Sequence, residues 1–364
     1  MPEQEKRRYL VLTDGYLADA HHAKTAYGVI RYAADDIVAV IDKQFAGRRL
    51  CDVVADLRRD APIVSSVGEA LGVKPTSLLV GVAVSGGELP QRFRAHILEA
   101  IDAGLEIVNG LHEFLADDPV FAARARAGGA RLWDVRKLPE EIPFFSGAAY
   151  RVPQVVVLAV GSDCAVGKMT AMLELAAAAN AAGDRAQFVA TGQTGIMIAG
   201  KGLCVDRVIS DFVAGASEAL VLDVAPQARF TLVEGQGSIL HPAFAAVTYG
   251  LMFGSAPDLL LLCHEAGRTH IDDFRVPIPP LGTLVKLYEA ALDPVKPAPV
   301  CAVALNTRSL AATDARTLAR RVEEETGLPA DDAVRFGAGK IWQAIRSAAE
   351  HTQKWQAHGR AAAR

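Results

Sequence analysis

The chain has 364 residues, 51% of them hydrophobic, with 38 Lys plus Arg against 42 Asp plus Glu and a formal net charge of −4. That length favours two domains, each with enough apolar residues for its own core, and the near balance of charge offers no broad basic surface for nucleic acid. The N-terminal residues 1–8 lack the apolar run of a signal peptide, and no stretch approaches the roughly 18 uninterrupted apolar residues of a spanning helix, so a cytoplasmic protein without membrane contact is expected.

Cys51, Cys164, Cys204, Cys263 and Cys301 are scattered and never paired as CxxC. A disulfide framework or a structural zinc is not expected from that spacing, and no metal site is assigned.

Short apolar runs alternate with Ala-rich helical segments along the whole chain, the pattern of parallel-sheet folds. In the first half, strands are predicted at Tyr9–Thr13, Ile37–Ile41, Leu78–Ala83, Glu106–Val108 and Arg131–Asp134. Their exits are turn-like, as at Asp14-Gly15, Ser85-Gly86-Gly87 and Asn109-Gly110. His21, His22, Lys24, His112 and Glu113 are polar groups near these exits; paired histidines without further ligands at suitable spacing fit a solvated helix start better than a metal site. The segment from Leu138 to Pro153 holds three prolines and has the composition of an inter-domain connection.

The second half opens with Gln154–Val160, a continuous apolar run without alternation, as a central parallel strand requires. Further strands are predicted at Ala186–Val189, Phe230–Val233, Leu259–Cys263 and Val300–Leu305, with a first helix over Lys168–Ala182 closed by Gly183. The expected fold is therefore α/β in two domains: a Rossmann-like parallel sheet over residues 1–148 and a P-loop NTPase-like parallel sheet over residues 149–364. The polar segments Gly161–Thr170, Thr191–Gly195, Glu234–Gly237, His264–Arg268 and Asn306-Thr307 each follow a strand of the second half directly. Ligand crevices of open parallel sheets lie beyond the carboxyl ends of the strands, so all five point toward one site.

Gly161 to Thr170 joins a buried strand to a helix start, the context in which glycines let backbone N–H groups wrap a phosphate and Lys168 adds a full charge. The expected cradle is Gly161, Ser162, Ala165, Val166, Gly167, Lys168, Met169 and Thr170, with Asn306 placed to meet a nucleotide base. The first Gly lies one residue farther from Gly167 than the generic pattern, which resembles the G-T-D-T-x-V-G-K-T loop of dethiobiotin synthetases. Val233-Glu234-Gly235-Gln236-Gly237 likewise resembles their V-E-G-A-G segment. The position after the Lys, usually Ser or Thr bound to Mg²⁺, is Met169, and a thioether is a poor ligand for a hard cation. Thr170 is turned about 100° away on a helix. Such a loop suits phosphates that are held and not cleaved.

With these residues in view the sequence resembles the DgcN family, P-loop-containing N-acetyltransferases long described as a domain of unknown function. The resemblance rests on Gly161–Thr170, Gly192-Gln193-Thr194-Gly195, Val233–Ser238, Leu262-Cys263-His264 and, in the first half, Asp102–Leu115, and it covers nearly the whole chain. It implies acetyl-CoA as donor, the amine of D-glutamate or a related D-amino acid as acceptor, and a functional link to an epimerase that converts the N-acetyl-D product. The P-loop would then hold the phosphates of CoA.

Acetyl transfer needs an unprotonated amine, a stabilised oxyanion and partners for the acceptor's carboxylates. Glu234 is the expected general base, with a vestigial metal carboxylate as the alternative. His264 is expected to act as base or to orient the acetyl group, against a satisfied core histidine. Asp163 is expected to position Lys168 or an amine, or merely to cap the loop. Arg268 is the candidate for a substrate carboxylate, against a salt bridge to Asp272 or Asp273, and Gln193 and Thr194 are further expected substrate contacts. Cys164 invites a covalent acetyl-enzyme, but no activating His adjoins it in sequence, which favours packing. The rival enzyme is an ATP- and Mg²⁺-dependent ligase or kinase of the dethiobiotin synthetase type; a nucleotide-sensing module is a third possibility. Small-molecule substrates are expected throughout, and the apolar helices permit the homo-oligomer we expect.

Overall fold

The structure, a computed structural model, describes residues 6–57 and 59–356. The chain divides into two compact units, the first running to Lys137 with Ile196–Lys201 added, the second holding Leu138–Gly195 and the chain from Gly202 onward.

The first unit contains β1 (Arg8–Leu12), β2 (Asp36–Ile41), β3 (Ile63–Val64), β4 (Ser77–Val80), β5 (Glu106–Asn109) and β6 (Leu132–Asp134). They form one parallel sheet in the order β3-β2-β1-β4-β5-β6, the doubly wound arrangement expected of a Rossmann-like unit. Leu10, Leu12, Leu78 and Val80 pack with Phe93 and Ile97 of the Phe93–Asp102 helix on one face. β3 was absent from the sequence expectations because two residues between Pro62 and Ser65 carry no readable periodicity.

The second unit contains β7 (Val155–Gly161), β8 (Ala186–Val189), β9 (Phe230–Val233), β10 (Leu259–Glu265), β11 (Val300–Asn306) and β12 (Ala330–Asp331). All pair in parallel, in the order β12-β11-β10-β7-β9-β8. Successive residues of β7 feed opposite cores. Val156, Leu158 and Val160 pack with Leu260, Leu262 and Tyr288, while Val155, Val157 and Ala159 pack with Met172, Leu261 and Trp342. Helices cover both faces, so the strand must be apolar at every position. β10 and β11 each run beyond their apolar stretches: His264 pairs with Leu305 and Glu265 with Asn306. His264 and Asn306 are thus the polar ends of strands rather than loop residues, because the backbone ladder continues where burial of the side chains stops.

Helix Lys168–Ala181 follows β7 and ends near Gly183, whose φ of +82° is the expected left-handed turn. The segment from Leu138 packs on helix Val213–Leu222. Glu218 accepts from Ser146 N at 2.7 Å, Ser146 Oγ at 2.8 Å and Ala149 N at 3.1 Å. A Cβ at Gly215 would stand 1.9 Å from Pro143 O, so only glycine permits that approach.

Candidate active site at the phosphate loop

The chain turns at the carboxyl end of β7 into the loop that the sequence marks for phosphate. Ala165 has φ +55° and Gly167 φ +104°, left-handed positions of the kind that let successive N–H groups face one concavity. A Cβ on Gly161 would lie 2.9 Å from both Lys168 Nζ and Val166 Cγ2. Lys168 is buried at the head of its helix, where Nζ donates to Asp163 O and Gly237 O, each at 2.8 Å. Burial lowers its pKa. Met169 and Thr170 occupy the first turn, both half-buried.

Four other strand ends meet this loop. From β9, a Cβ on Gly235 would fall 1.7 Å from Ala159 O and 2.9 Å from Lys168 Cδ, so the bare backbone lets the turn close against β7. Glu234 is buried, and its Oε2 accepts from Thr191 N at 2.9 Å and Gly192 N at 3.1 Å, the residues leaving β8. Burial outweighs these hydrogen bonds and the nearby Lys168 charge and pushes the Glu234 carboxyl up to about 7. Gln193 is buried and Thr194 half-buried at the start of helix Gln193–Ala199, beside Gly195, whose Cβ would come within 2.4 Å of Glu234 Oε2.

From β10, His264 Nδ1 lies 2.9 Å from Ser162 Oγ, and Ser162 N donates to Cys263 O at 3.0 Å. Burial lowers the His264 pKa, which favours a neutral imidazole able to take the serine proton. Arg268 turns back over the loop, its Nη1 donating to Asp163 Oδ2 at 2.8 Å and its Nη2 to Glu265 Oε2 at 2.6 Å, with Asp272 Oδ2 at 3.4 Å. Asp163 also accepts from Asp272 N at 2.8 Å and Cys164 N at 2.6 Å, so its carboxylate caps the loop while its carbonyl holds Lys168. A polar cavity of about 500 Å³ opens here, lined by Glu265, Arg268, His270, Asp272 and Arg308 among others. From β11, the Asn306 Cβ lies 3.7 Å from where a Gly167 Cβ would stand. Asp332 fixes the next residue, accepting from Thr307 N at 2.9 Å and from Thr307 Oγ1. The other four polar segments singled out from sequence thus meet the loop directly or through Glu234.

Three contributors were given no role from the sequence, although Ser238 closes the Val233–Ser238 stretch. Tyr288, fully buried in helix Leu281–Leu292, donates to Gly161 O at 2.7 Å, and its oxygen accepts from Ile239 N at 3.2 Å. It ties β7 to the turn after β9, yet in sequence it is one more apolar-face residue of a helix. Ser238 donates to Ser162 O at 3.3 Å. His241 stands beside Asp163 and Cys164, one atom of each lying within 4.8 Å of the others. A polar residue eight positions past the end of β9 was its only hint in the sequence. The histidine that Cys164 lacks along the sequence stands near it in space.

The first unit presents a different exit. Asp42, fully buried after β2, accepts from Gly15 N at 2.9 Å, Leu17 N at 3.1 Å and Gln44 N at 3.1 Å. In dinucleotide-binding sheets an acidic residue near this position meets a ribose; here it holds the loop after β1. His22 Nδ1 lies 2.7 Å from Asp19 Oδ2, and the His21 and His22 rings meet edge to face at 5.2 Å in the turn before helix Lys24–Tyr32.

Residues 143–342 match the family model described as a domain of unknown function, the DUF1611 C-terminal P-loop domain, and residues 43–138 match its N-terminal Rossmann-like domain. A D-glutamate N-acetyltransferase of Tritonibacter scottomollicae is 36% identical over 338 residues, covering 91% of this chain and 96% of that protein. A D-glutamate N-acetyltransferase of a Pseudoalteromonas species is 36% identical over 278 residues, covering 76% and 83%. The crystal structure of a DUF1611 family protein from Anabaena variabilis ATCC 29413 superposes with a TM-score of 0.89 at 41% identity, covering 94% of this chain and all of that one. With both halves matched in order and relatives aligned over most of its length, the chain belongs to the DUF1611 family.

Proposed function

We propose that this chain is an N-acetyltransferase that moves the acetyl group of acetyl-CoA to the amine of D-glutamate or a related D-amino acid, with the loop Gly161–Thr170 holding the donor's phosphates. The observation that carries the proposal is the Glu234 carboxyl, buried beside the phosphate loop and pushed up to about 7, where a general base works best near neutral pH. Glu234 takes the proton of the acceptor's ammonium, leaving the amine lone pair to attack the thioester carbonyl. The tetrahedral intermediate then collapses, the C–S bond breaks and CoA leaves as the thiol. His264, its pKa lowered by burial and its ring bonded to Ser162, is the second proton-handling group, and Gly161, Gly167, Lys168 and Thr170 form the phosphate cradle. Met169 at the position that usually serves Mg²⁺ fits a ligand whose phosphates stay intact. Arg268 already serves Asp163 and Glu265, so in this reading it positions the loop, while Gln193, Thr194 and the cavity beside Arg308 are left for the acceptor. The printed names of the two relatives support the choice of acceptor. The family resemblance adds a partner epimerase acting on the product, and the apolar helices permit a homo-oligomer.

The test is thiol release from acetyl-CoA with D-glutamate, with L-glutamate and with no acceptor, repeated with Lys168→Ala. Release that requires D-glutamate and falls at least about tenfold in the variant is the expected result, since a charge-assisted contact contributes about 1.5–3 kcal/mol. No release with any acceptor, together with ADP formation from ATP and Mg²⁺, would replace the transferase by a ligase or kinase.

A further inference from the structure

Asp163, Cys164 and His241 bring a carboxylate oxygen, a thiol sulfur and a ring nitrogen within 4.8 Å of one another. Asp163 is fully buried and His241 nearly so, whereas Cys164 keeps partial access to solvent. The Asp163 carboxylate is already held by the Arg268 guanidinium at 2.8 Å, and that positive charge opposes a metal ion in the same place. With the Asp163 carboxylate, which would oppose a thiolate, paired to Arg268, the remaining surroundings of Cys164 favour an anionic sulfur. Lys168 is an electrostatic neighbour of Cys164, a helix of 14 residues begins four positions later, and the His241 imidazole stands alongside.

Of the other four cysteines only Cys263 shares the Lys168 neighbour, and it is buried. Cys204, Cys263 and Cys301 are buried, and burial pushes the Cys263 and Cys301 thiols up to about 12. Cys51 is half-buried like Cys164, but burial and the Asp60 carboxylate raise its thiol.

We propose that Cys164 is a modification site for small disulfides, and that its modification and phosphate binding by the Gly161–Thr170 loop exclude one another. The thiolate attacks one sulfur of R–S–S–R; a new S–S bond forms at Sγ, the old one breaks, and R–S⁻ departs with the electron pair, taking a proton from water according to its own pKa. A dithiol reverses the exchange. The group left on Sγ stands within the phosphate loop itself, beside the Lys168 ammonium that an incoming phosphate needs. The exclusion rests on the phosphate reading of the loop; the reactivity does not.

The full chain is treated with a nitrobenzoate disulfide, and the labelled cysteines are identified by peptide mass, with and without inorganic pyrophosphate whose binding is followed separately by calorimetry. Cys164 should react at least about tenfold faster than Cys51, Cys164→Ser should remove the fast phase, and Lys168→Ala should slow it. Pyrophosphate should slow the Cys164 phase and leave Cys51 unchanged. A Cys164 rate at or below that of Cys51 in the unmutated chain overturns the modification site. Pyrophosphate that binds without slowing the reaction overturns the exclusion alone, and pyrophosphate that does not bind overturns the exclusion together with the phosphate reading.

Discussion

Arg268 Nη1 donates to Asp163 Oδ2 at 2.8 Å across 105 residues of chain, joining the end of β10 to the phosphate loop after β7. The carboxylate is fully buried and the guanidinium side chain is 18% exposed, so the pair is shielded from water. Deleting one partner leaves the other charge buried, which is costly in a way that an exposed pair is not.

Arg268→Ala should therefore lower stability by about 3 kcal/mol, read as the shift in a denaturant unfolding curve. Adding Asp163→Asn should recover part of that loss, because the stranded charge is gone. Additive losses in the double variant would mean the two groups act separately.

The Glu234 carboxyl should set a pH limb. At saturating acceptor, kcat should rise as pH passes about 7, since the basic form is the ionised one. Glu234→Gln should remove this limb and most of the rate. The sign for stability is opposite. A folded-state value above the ordinary 4.5 gives a contribution that is complete below 4.5 and is lost as pH rises toward about 7. Unfolding curves of the Gln variant should lack that slope, and an unchanged slope would assign it to another group.

Met169→Thr should add the hydroxyl that a Mg²⁺-nucleotide expects. We expect ATP to bind the unmutated chain with an affinity that Mg²⁺ does not improve, and the variant to gain affinity when Mg²⁺ is added. Calorimetry with and without the cation measures both. A strong Mg²⁺ dependence before mutation would favour the ligase or kinase chemistry.

Gly235→Ala should destabilise the second unit by about 3 kcal/mol, the upper end of overpacking costs, because the new Cβ would stand 1.7 Å from Ala159 O and backbone must move. Gly183→Ala is the contrasting case. No atom lies within 4 Å of a Cβ there, so the cost comes only from the φ of +82° and should stay near 1 kcal/mol. Equal losses at the two sites would argue against the close approach of β9 to β7.

The sequence by itself determined the parallel strands and the phosphate loop, because both are written locally. A strand covered on both faces must be apolar at every position, as Val155–Val160 is, and a loop that turns through left-handed conformations to present N–H groups needs glycine at positions such as Gly167. Two-residue edge strands such as Ile63–Val64 and Ala330–Asp331 were illegible because they are too short to carry a period. Only the tertiary structure decided that Arg268 holds Asp163, that Tyr288 pins Gly161, and that His241 stands beside Cys164. In a parallel sheet, neighbouring strand ends are separated in sequence by whole crossovers, so the partners of a site side chain lie tens of residues away and leave no mark beside it.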